Sequence, residues 1–201
     1  MEFEFIDANG NSVFVESITT KIDFEGEECI LESFDTFLSY MLLFVLVTGV
    51  VGWSQRGHRI VANLAATHLT PKGEALILHH LPNVGGAVAT ALSLASTWAD
   101  DIVDSRPETG RWHFVYTPDR DCQPYLAERD CPDGECIVKA ISRMSRVVLE
   151  GTRMERIDAI KFLIHLMADI HQPLHVSFRL DAGGNTIQLA SPDLTLHEVW
   201  D

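Results

Sequence analysis

The stretch Phe162-Leu-Ile-His165-Leu-Met-Ala-Asp169-Ile-His171-Gln-Pro173-Leu-His175 decides how this chain is read. His165 and Asp169 stand four residues apart, so a helix sets imidazole and carboxylate on one face. Such a pair is half of a zinc site. Pro173 ends the helix and swings His175 aside on a short, stiff connection. One helix end can thus feed two metals, and Asp169, with two carboxylate oxygens, can bridge them. Core hydrogen bonding explains a lone histidine well. It explains poorly a run of His, Asp, His and His within eleven residues.

Around this helix, predicted over 153–172, the pattern is helical. Ile60, Val61, Leu64 and Leu69 recur at helical spacing. Thr70-Pro71 reads as an N-cap followed by proline at the first helical position, opening a helix that Pro82 stops near Leu81. Residues 87–103 read as one Ala/Leu-rich helix after Gly85-Gly86, and 104–134 as a long loop. Residues 135–149 read as a helix with Ile137, Ile141, Met144 and Val148 on one face. Gly183-Gly184-Asn185 marks a turn, and 196–201 the start of another helix. The expected fold class is all-α, a multi-helix domain.

The amino-terminal part has a different character. Residues 1–52 hold ten acids and one base, whereas 53–201 hold nineteen acids and fourteen bases, within a net charge of −14. Residues 1–40 read as an acidic extension of unknown role, in which Ser12–Glu16 and Thr20–Phe24 could pair as strands. The apolar run 41–52, MLLFVLVTGVVG, is too short to span a bilayer comfortably but suits a signal-peptide core. Cleavage before Trp53 would leave a secreted protein, or one in the lumen of the secretory pathway or vacuole. No permanent membrane association and no stable protein partner are expected.

A nucleic-acid binder that relies on side-chain charge should be basic, and this chain is acidic. If it binds phosphates, metal ions are the obvious source of positive charge. Further candidate ligands exist. His197 and Asp201 in LHEVWD repeat the four-residue spacing. Trp98-Ala-Asp100 and Trp112-His113-Phe114 set an acid and an imidazole beside tryptophans, and His58 closes Trp53-Ser-Gln-Arg-Gly-His58. Together they supply enough nitrogen and oxygen donors for three metals. That donor set favours zinc over iron–sulfur chemistry, and the histidines disfavour magnesium. Cys131-Pro-Asp-Gly-Glu-Cys136 can close a small disulfide ring in an oxidising compartment. A zinc knuckle is the rival reading, although no second closely spaced Cys/His pair lies nearby.

In this order, WSQRGH, STWADD, WHFVYTP, FLIHLMADIHQPLH, GGNTI and LHEVWD resemble the zinc-dependent single-strand-specific nucleases of fungi and plants. A bacterial zinc phospholipase C belongs to the same superfamily. The resemblance covers 53–201 and implies a phospholipase C/nuclease-like fold with three zinc ions. Asp100, His113, His165 and Asp169 would hold the first. His58, Asp169 as bridge, and the amino group and carbonyl of Trp53 would hold the second. His175, His197 and Asp201 would hold the third. Asp100 and Asp169 are the expected catalytic carboxylates. Phe114 would stack on a nucleobase, with Tyr116 as its substrate-binding neighbour. Cys131 would pair with Cys136, and Cys122 with a cysteine nearer the family's C-terminus.

The implied activity is a secreted endonuclease cutting single-stranded DNA and RNA to 5′-phosphate products, with 3′-nucleotidase action as a further expectation. A zinc phospholipase C-like phosphodiesterase would use the same metals on another substrate; WHF with GGNTI favours the nuclease. The resemblance also has departures. Where the family commonly carries an arginine, three residues after Asp100, stands Val103, with Arg106 the nearest arginine. Where it often carries an acid that bonds the base, three residues after His113, stands Tyr116. The family continues beyond LHEVWD with further helices, so 53–201 reads as a C-terminally truncated domain, and an inactive fragment is the third reading. His68, His79 and His80 read as surface or helix-end residues, and His171 as a candidate supporting residue.

Overall fold

The computed structural model describes residues 53–81, 86–118, 124–190 and 194–200, together with four strands nearer the N-terminus. The apolar run 41–52, Cys122 and Asp201 lie outside the described residues. The chain divides into two compact units, Met1–Val50 and Val51–Asp201.

In the first unit, β1 (Phe3–Ile6) pairs antiparallel with β2 (Ser12–Val15), setting Phe3 opposite Val15. The second hairpin joins β3 (Thr19–Phe24) to β4 (Glu27–Glu32), with Phe24 opposite Glu27. This corrects the expected pairing of Ser12–Glu16 with Thr20–Phe24. In the sequence, the segments between the paired strands contain glycine, Asn9-Gly10 and Glu25-Gly26, which tight turns favour. The intervening Glu16-Ser-Ile18 has none.

The second unit is helical. Its described α-helices are α1 (Gln55–Ala66), α2 (Pro71–His80), α3 (Val88–Ala95), α4 (Trp98–Asp101), α5 (Ala127–Asp130), α6 (Ile137–Glu150), α7 (Arg153–Asp169) and α8 (Leu196–Trp200). Tighter 3-10 turns cover Pro107–His113 and Pro173–Val176. The Thr70-Pro71 cap acts as read. The Thr70 hydroxyl accepts from Gly73 N at 3.1 Å, ahead of Pro71. Thr152 and Glu155 form a reciprocal capping box at the start of α7.

Helix α7 runs between two apolar clusters. Ala159, Phe162 and Leu166 pack with Trp112, Ile137, Ile141 and Met144, while Ile160 packs with Ala62, Ile77, Leu92 and Ala95. A helix buried on several sides holds its functional end firmly. The α6 face expected from Ile137, Ile141 and Met144 is the buried one.

Three expectations need correction, and the burial in α1 is a finding of the structure. The helix expected over 87–103 breaks at Ser96-Thr97 into α3 and α4. The loop expected over 104–134 contains a 3-10 turn and α5. Helix α7 ends at Asp169, not near 172. His171 N and Gln172 N reach back only three residues, to Ala168 O and Asp169 O, because Pro173 disfavours α geometry before it. In α1 the buried face is Gly57, His58 and Ala62, whereas Ile60 is 45% exposed and Leu64 also faces outward.

Candidate metal centre

Five segments converge on the end of α7. His165 and Asp169 are fully buried, at 0% exposure. Helix α1 brings His58, α4 brings Asp100, and the two 3-10 turns bring His113 and His175. Asp169 is the hub. Its Oδ2 lies 3.0 Å from both His113 Nδ1 and His165 Nε2, and its Oδ1 lies 3.1 Å from His58 Nε2 and 3.6 Å from His175 Nδ1. The His58 approach is close but lacks hydrogen-bond geometry, so Oδ1 is buried with no hydrogen bond.

The spacing suits a cation. Asp100 Oδ1 lies 3.2 Å from His165 Nε2 and 3.6 Å from His113 Nδ1, and those two nitrogens are 3.1 Å apart. Five of the six separations among these four donor atoms therefore lie at 3.0–3.6 Å. Zinc bonds of about 2.0–2.1 Å in tetrahedral array give donor separations of about 3.3 Å. Asp100, His113 and His165 form one candidate metal-holding group, and His58, His165 and Asp169 another. The residues present fit a metal with nitrogen and oxygen ligands.

Electrostatics points the same way. Burial opposes charge on His165, yet hydrogen bonds and negative charge from Asp100 and Asp169 outweigh it and push the ring up to about 10. Burial would raise the Asp169 carboxyl, but His113, His165 and His58 hold it well below its ordinary value. Two carboxylates facing one ring call for positive charge here, which a proton or a metal cation can supply.

Backbone carbonyls set the ring orientations. His165 Nδ1 donates to Ser96 O at 2.6 Å, which leaves Nε2 to face the carboxylates with a proton or to ligate a cation among them. The break between α3 and α4 exposes that carbonyl. His175 Nδ1 lies 2.9 Å from His113 O, and His197 Nδ1 2.7 Å from Gly183 O. The His175 and His197 rings stack with centroids 5.3 Å apart and planes 7° apart. Gly183 has φ +64°, and a Cβ there would collide with the Leu174 carbonyl. Ser96 opens the STWADD motif, but its contribution is a backbone carbonyl, which its side chain does not announce.

The remaining expected site residues are distributed as follows. Trp53 is half-buried just before α1, with its indole Nε1 buried and without a hydrogen-bond partner. Ser54 O accepts from His58 N at 3.0 Å, which fixes the turn that carries His58. The rings of Phe114 and Tyr116 stack with centroids 4.6 Å apart. Cys131 and Cys136 are disulfide-bonded, and Ile137 N, next along the chain, donates to Phe114 O at 3.1 Å. His171 bonds the Met167 carbonyl of its own helix through Nδ1. His68 and His79 are exposed. His80 is a helix-end residue as read, but it is buried, a correction to the surface reading.

A family model described as S1/P1 Nuclease matches residues 53–201. The chain belongs to the S1/P1 nuclease family. It is 31% identical to Endonuclease 2 of Arabidopsis thaliana over 173 residues, which are 79% of this chain and 58% of that protein. With Nuclease S1 of Aspergillus oryzae it shares 32% over 157 residues, 75% of this chain and 53% of that protein. Nuclease P1 of Penicillium citrinum is 28% identical over 160 residues, 74% of this chain and 57% of that protein. The chain thus spans less than two thirds of the length of these S1/P1 relatives. Within this S1/P1 chain, Arg106 does not stand in for the arginine that Val103 replaces. Its guanidinium is engaged by Asp158 at 3.3 Å, Glu108 at 3.5 Å and the face of Phe162 at 5.4 Å.

Proposed function

We propose that this chain carries the centre of a secreted, zinc-dependent phosphodiesterase that hydrolyses single-stranded DNA and RNA to 5′-phosphate products and can also act as a 3′-nucleotidase. The observation that carries the reading is the set of donor atoms on Asp100, His113, His165 and Asp169, in which each histidine nitrogen lies 3.0–3.6 Å from the other and from both carboxylates. These four residues would hold a first zinc. The second oxygen of Asp169, His58, and the amine and carbonyl of Trp53 would hold a second. That amine is free only if the chain is cleaved before Trp53, because a peptide nitrogen delocalises its lone pair into the carbonyl. His175, His197 and Asp201 would hold a third. When bound, zinc supplies an acidified water at neutral pH and positive charge facing phosphate oxygens.

The chain's own residues prepare that chemistry. Asp169 serves two groups at once, one oxygen each. Ser96 O and Gly183 O fix the tautomers of His165 and His197. Phe114, beside His113, offers a ring face to an unstacked base, which favours single strands over duplex. The formal charge of three zincs would exceed the negative charge of residues 53–201, nineteen acids against fourteen bases.

The test is zinc content together with cleavage of denatured and duplex DNA, for the full chain and for Asp169→Asn. The substitution keeps shape and removes charge and bridging capacity. We expect the variant to lose at least one zinc and its activity on denatured DNA. Full zinc stoichiometry in Asp169→Asn would sink the bridging role, and an active chain without zinc would sink the proposal.

A further inference from the structure

A cavity of about 240 Å³ opens beside Phe114, lined by none of the residues gathered around Asp169. Phe114 and Tyr116 form its aromatic part, and Arg111, Arg129, Arg179, Asp130 and Glu135 its charged part. Its hydrogen-bonding capacity is lopsided. Asp130 Oδ1 accepts from Arg129 Nε at 2.7 Å, and Oδ2 from Leu126 N at 2.9 Å and Arg129 Nη2 at 2.8 Å. Glu135 accepts from Arg143 at 3.1 and 3.3 Å and from the Trp112 indole. The acids are committed. Arg111 pairs with Asp133 at 2.5 Å, and Arg179 forms no ion pair among the described residues. What remains on offer is chiefly donors, and the Arg179 charge, without a paired acid, acts on Asp130 only as a Coulombic neighbour.

The backbone holds these donors in place. Val115 N donates to His175 O at 2.8 Å, Thr117 N to Ser177 O at 3.0 Å, and Arg179 N to Thr117 O at 3.2 Å. This short parallel ladder, bridging Thr117 and Phe178, sets Arg179 beside the aromatic pair and next to the segment that carries His175. Tyr116 Oη donates to Ala182 O at 3.0 Å, which pins its ring against Phe114. One face of Phe114 is thereby covered, and the ring also lines the cavity.

We propose that this cavity receives the edge of a nucleobase stacked on Phe114, and that Arg179, assisted by Arg111, selects edges rich in acceptors, guanine before all others. A guanidinium fork donates two parallel hydrogen bonds to guanine O6 and N7. Adenine sets an amino donor beside its N7 and cytosine carries an amino donor, so each meets donor with donor. Thymine and uracil offer a single carbonyl there and rank between. The inference rests on the nucleic-acid reading above.

The experiment measures binding rather than cleavage. The zinc-supplemented full chain is titrated calorimetrically with the 5′-monophosphates of deoxyguanosine, deoxyadenosine, deoxycytidine and thymidine, and with ribose 5-phosphate, which has no base. We expect deoxyguanosine monophosphate to bind on the order of tenfold more tightly than the adenine and cytosine nucleotides. Arg179→Gln should lower it to their level while leaving ribose 5-phosphate and zinc content unchanged. Arg179→Lys should keep the charge but lose the discrimination, because an ammonium has no fork. Arg179 is exposed, so neither variant disturbs the core. Equal affinity for all four nucleotides would overturn the proposal, as would loss of ribose 5-phosphate binding in Arg179→Gln, which would make this a phosphate site. Selective binding without cleavage of denatured DNA would count against the nuclease reading alone, and cleavage without selective binding against this inference alone.

Discussion

Phe162→Ala would remove the ring that braces three of the four residues Asp100, His113, His165 and Asp169. Phe162 is 1% exposed. Its centroid lies 5.2 Å from that of Trp98 at 73° and 5.1 Å from that of Trp112 at 59°. Trp98 stands two residues before Asp100, Trp112 directly before His113, and Phe162 itself three before His165. One ring thus links the packing of α4, the 3-10 turn and α7 to the placement of their ligands. A buried Phe→Ala change costs about 3–5 kcal/mol, and the two edge-on ring pairs argue for the middle of that range or above. For a unit of this size, 4 kcal/mol lowers Tm by ~8–16 °C.

The assay is thermal unfolding in EDTA and again with saturating zinc, alongside zinc competition against a chelating dye. The fall in EDTA reports packing alone. If the ligands loosen as well, zinc binds more weakly, and each tenfold loss of affinity removes a further ~1.4 kcal/mol of zinc-linked stability. The fall with zinc should then exceed the fall in EDTA by ~3–6 °C. Phe162→Leu, which keeps more volume, should show the same pattern at smaller amplitude. Equal falls in both conditions with unchanged zinc affinity would refute the bracing argument.

Two further outcomes follow from single residues. Phe114→Ala should weaken binding of single-stranded DNA by ~1–3 kcal/mol with zinc content intact, and an unchanged KM on denatured DNA would show that the ring only packs. His80 is buried, with Nδ1 lacking a partner; burial first, then the charges of His79, Arg156 and Arg153, hold its pKa below the ordinary 6.5. A depressed histidine is neutral in the fold but takes up a proton when unfolded, so stability present above pH 6.5 is lost as pH falls toward the lowered value. His80→Leu should therefore flatten the decline of Tm between pH 7 and pH 5.5 in EDTA, and parallel curves for the two proteins would count against it.

The legible parts of this fold were those written in side chains. Thr70-Pro71, Thr152 with Glu155, and Pro173 mark helix ends because their own atoms make or forbid the terminal hydrogen bonds. His165 and Asp169 were legible because four residues make one helical step. Helix α1 was legible but its buried face was not, because apolar periodicity assumes that apolar residues point inward. There His58 and the small Gly57 and Ala62 point inward instead, and Ile60 and Leu64 are turned out. His80 stands at a helix end as read, but its burial was not legible, because a helix-end position says nothing of what packs over it. The α3–α4 break was hidden because an Ala/Leu-rich run reads as one helix, and only the demand of His165 for the Ser96 carbonyl distinguishes the two possibilities.

That demand recurs around the centre. His165, His175 and His197 each bring Nδ1 to a backbone carbonyl, of Ser96, His113 and Gly183. Inside a regular helix each carbonyl would be spent on an amide four residues along. All three sit where that ladder fails: at the break between α3 and α4, at the end of a 3-10 turn, and in a left-handed glycine turn. The irregular backbone is therefore what frees the acceptors that orient the rings. A one-letter sequence writes a carbonyl identically at every position, so it can name the metal-facing nitrogens while leaving the groups that aim them to be found in three dimensions.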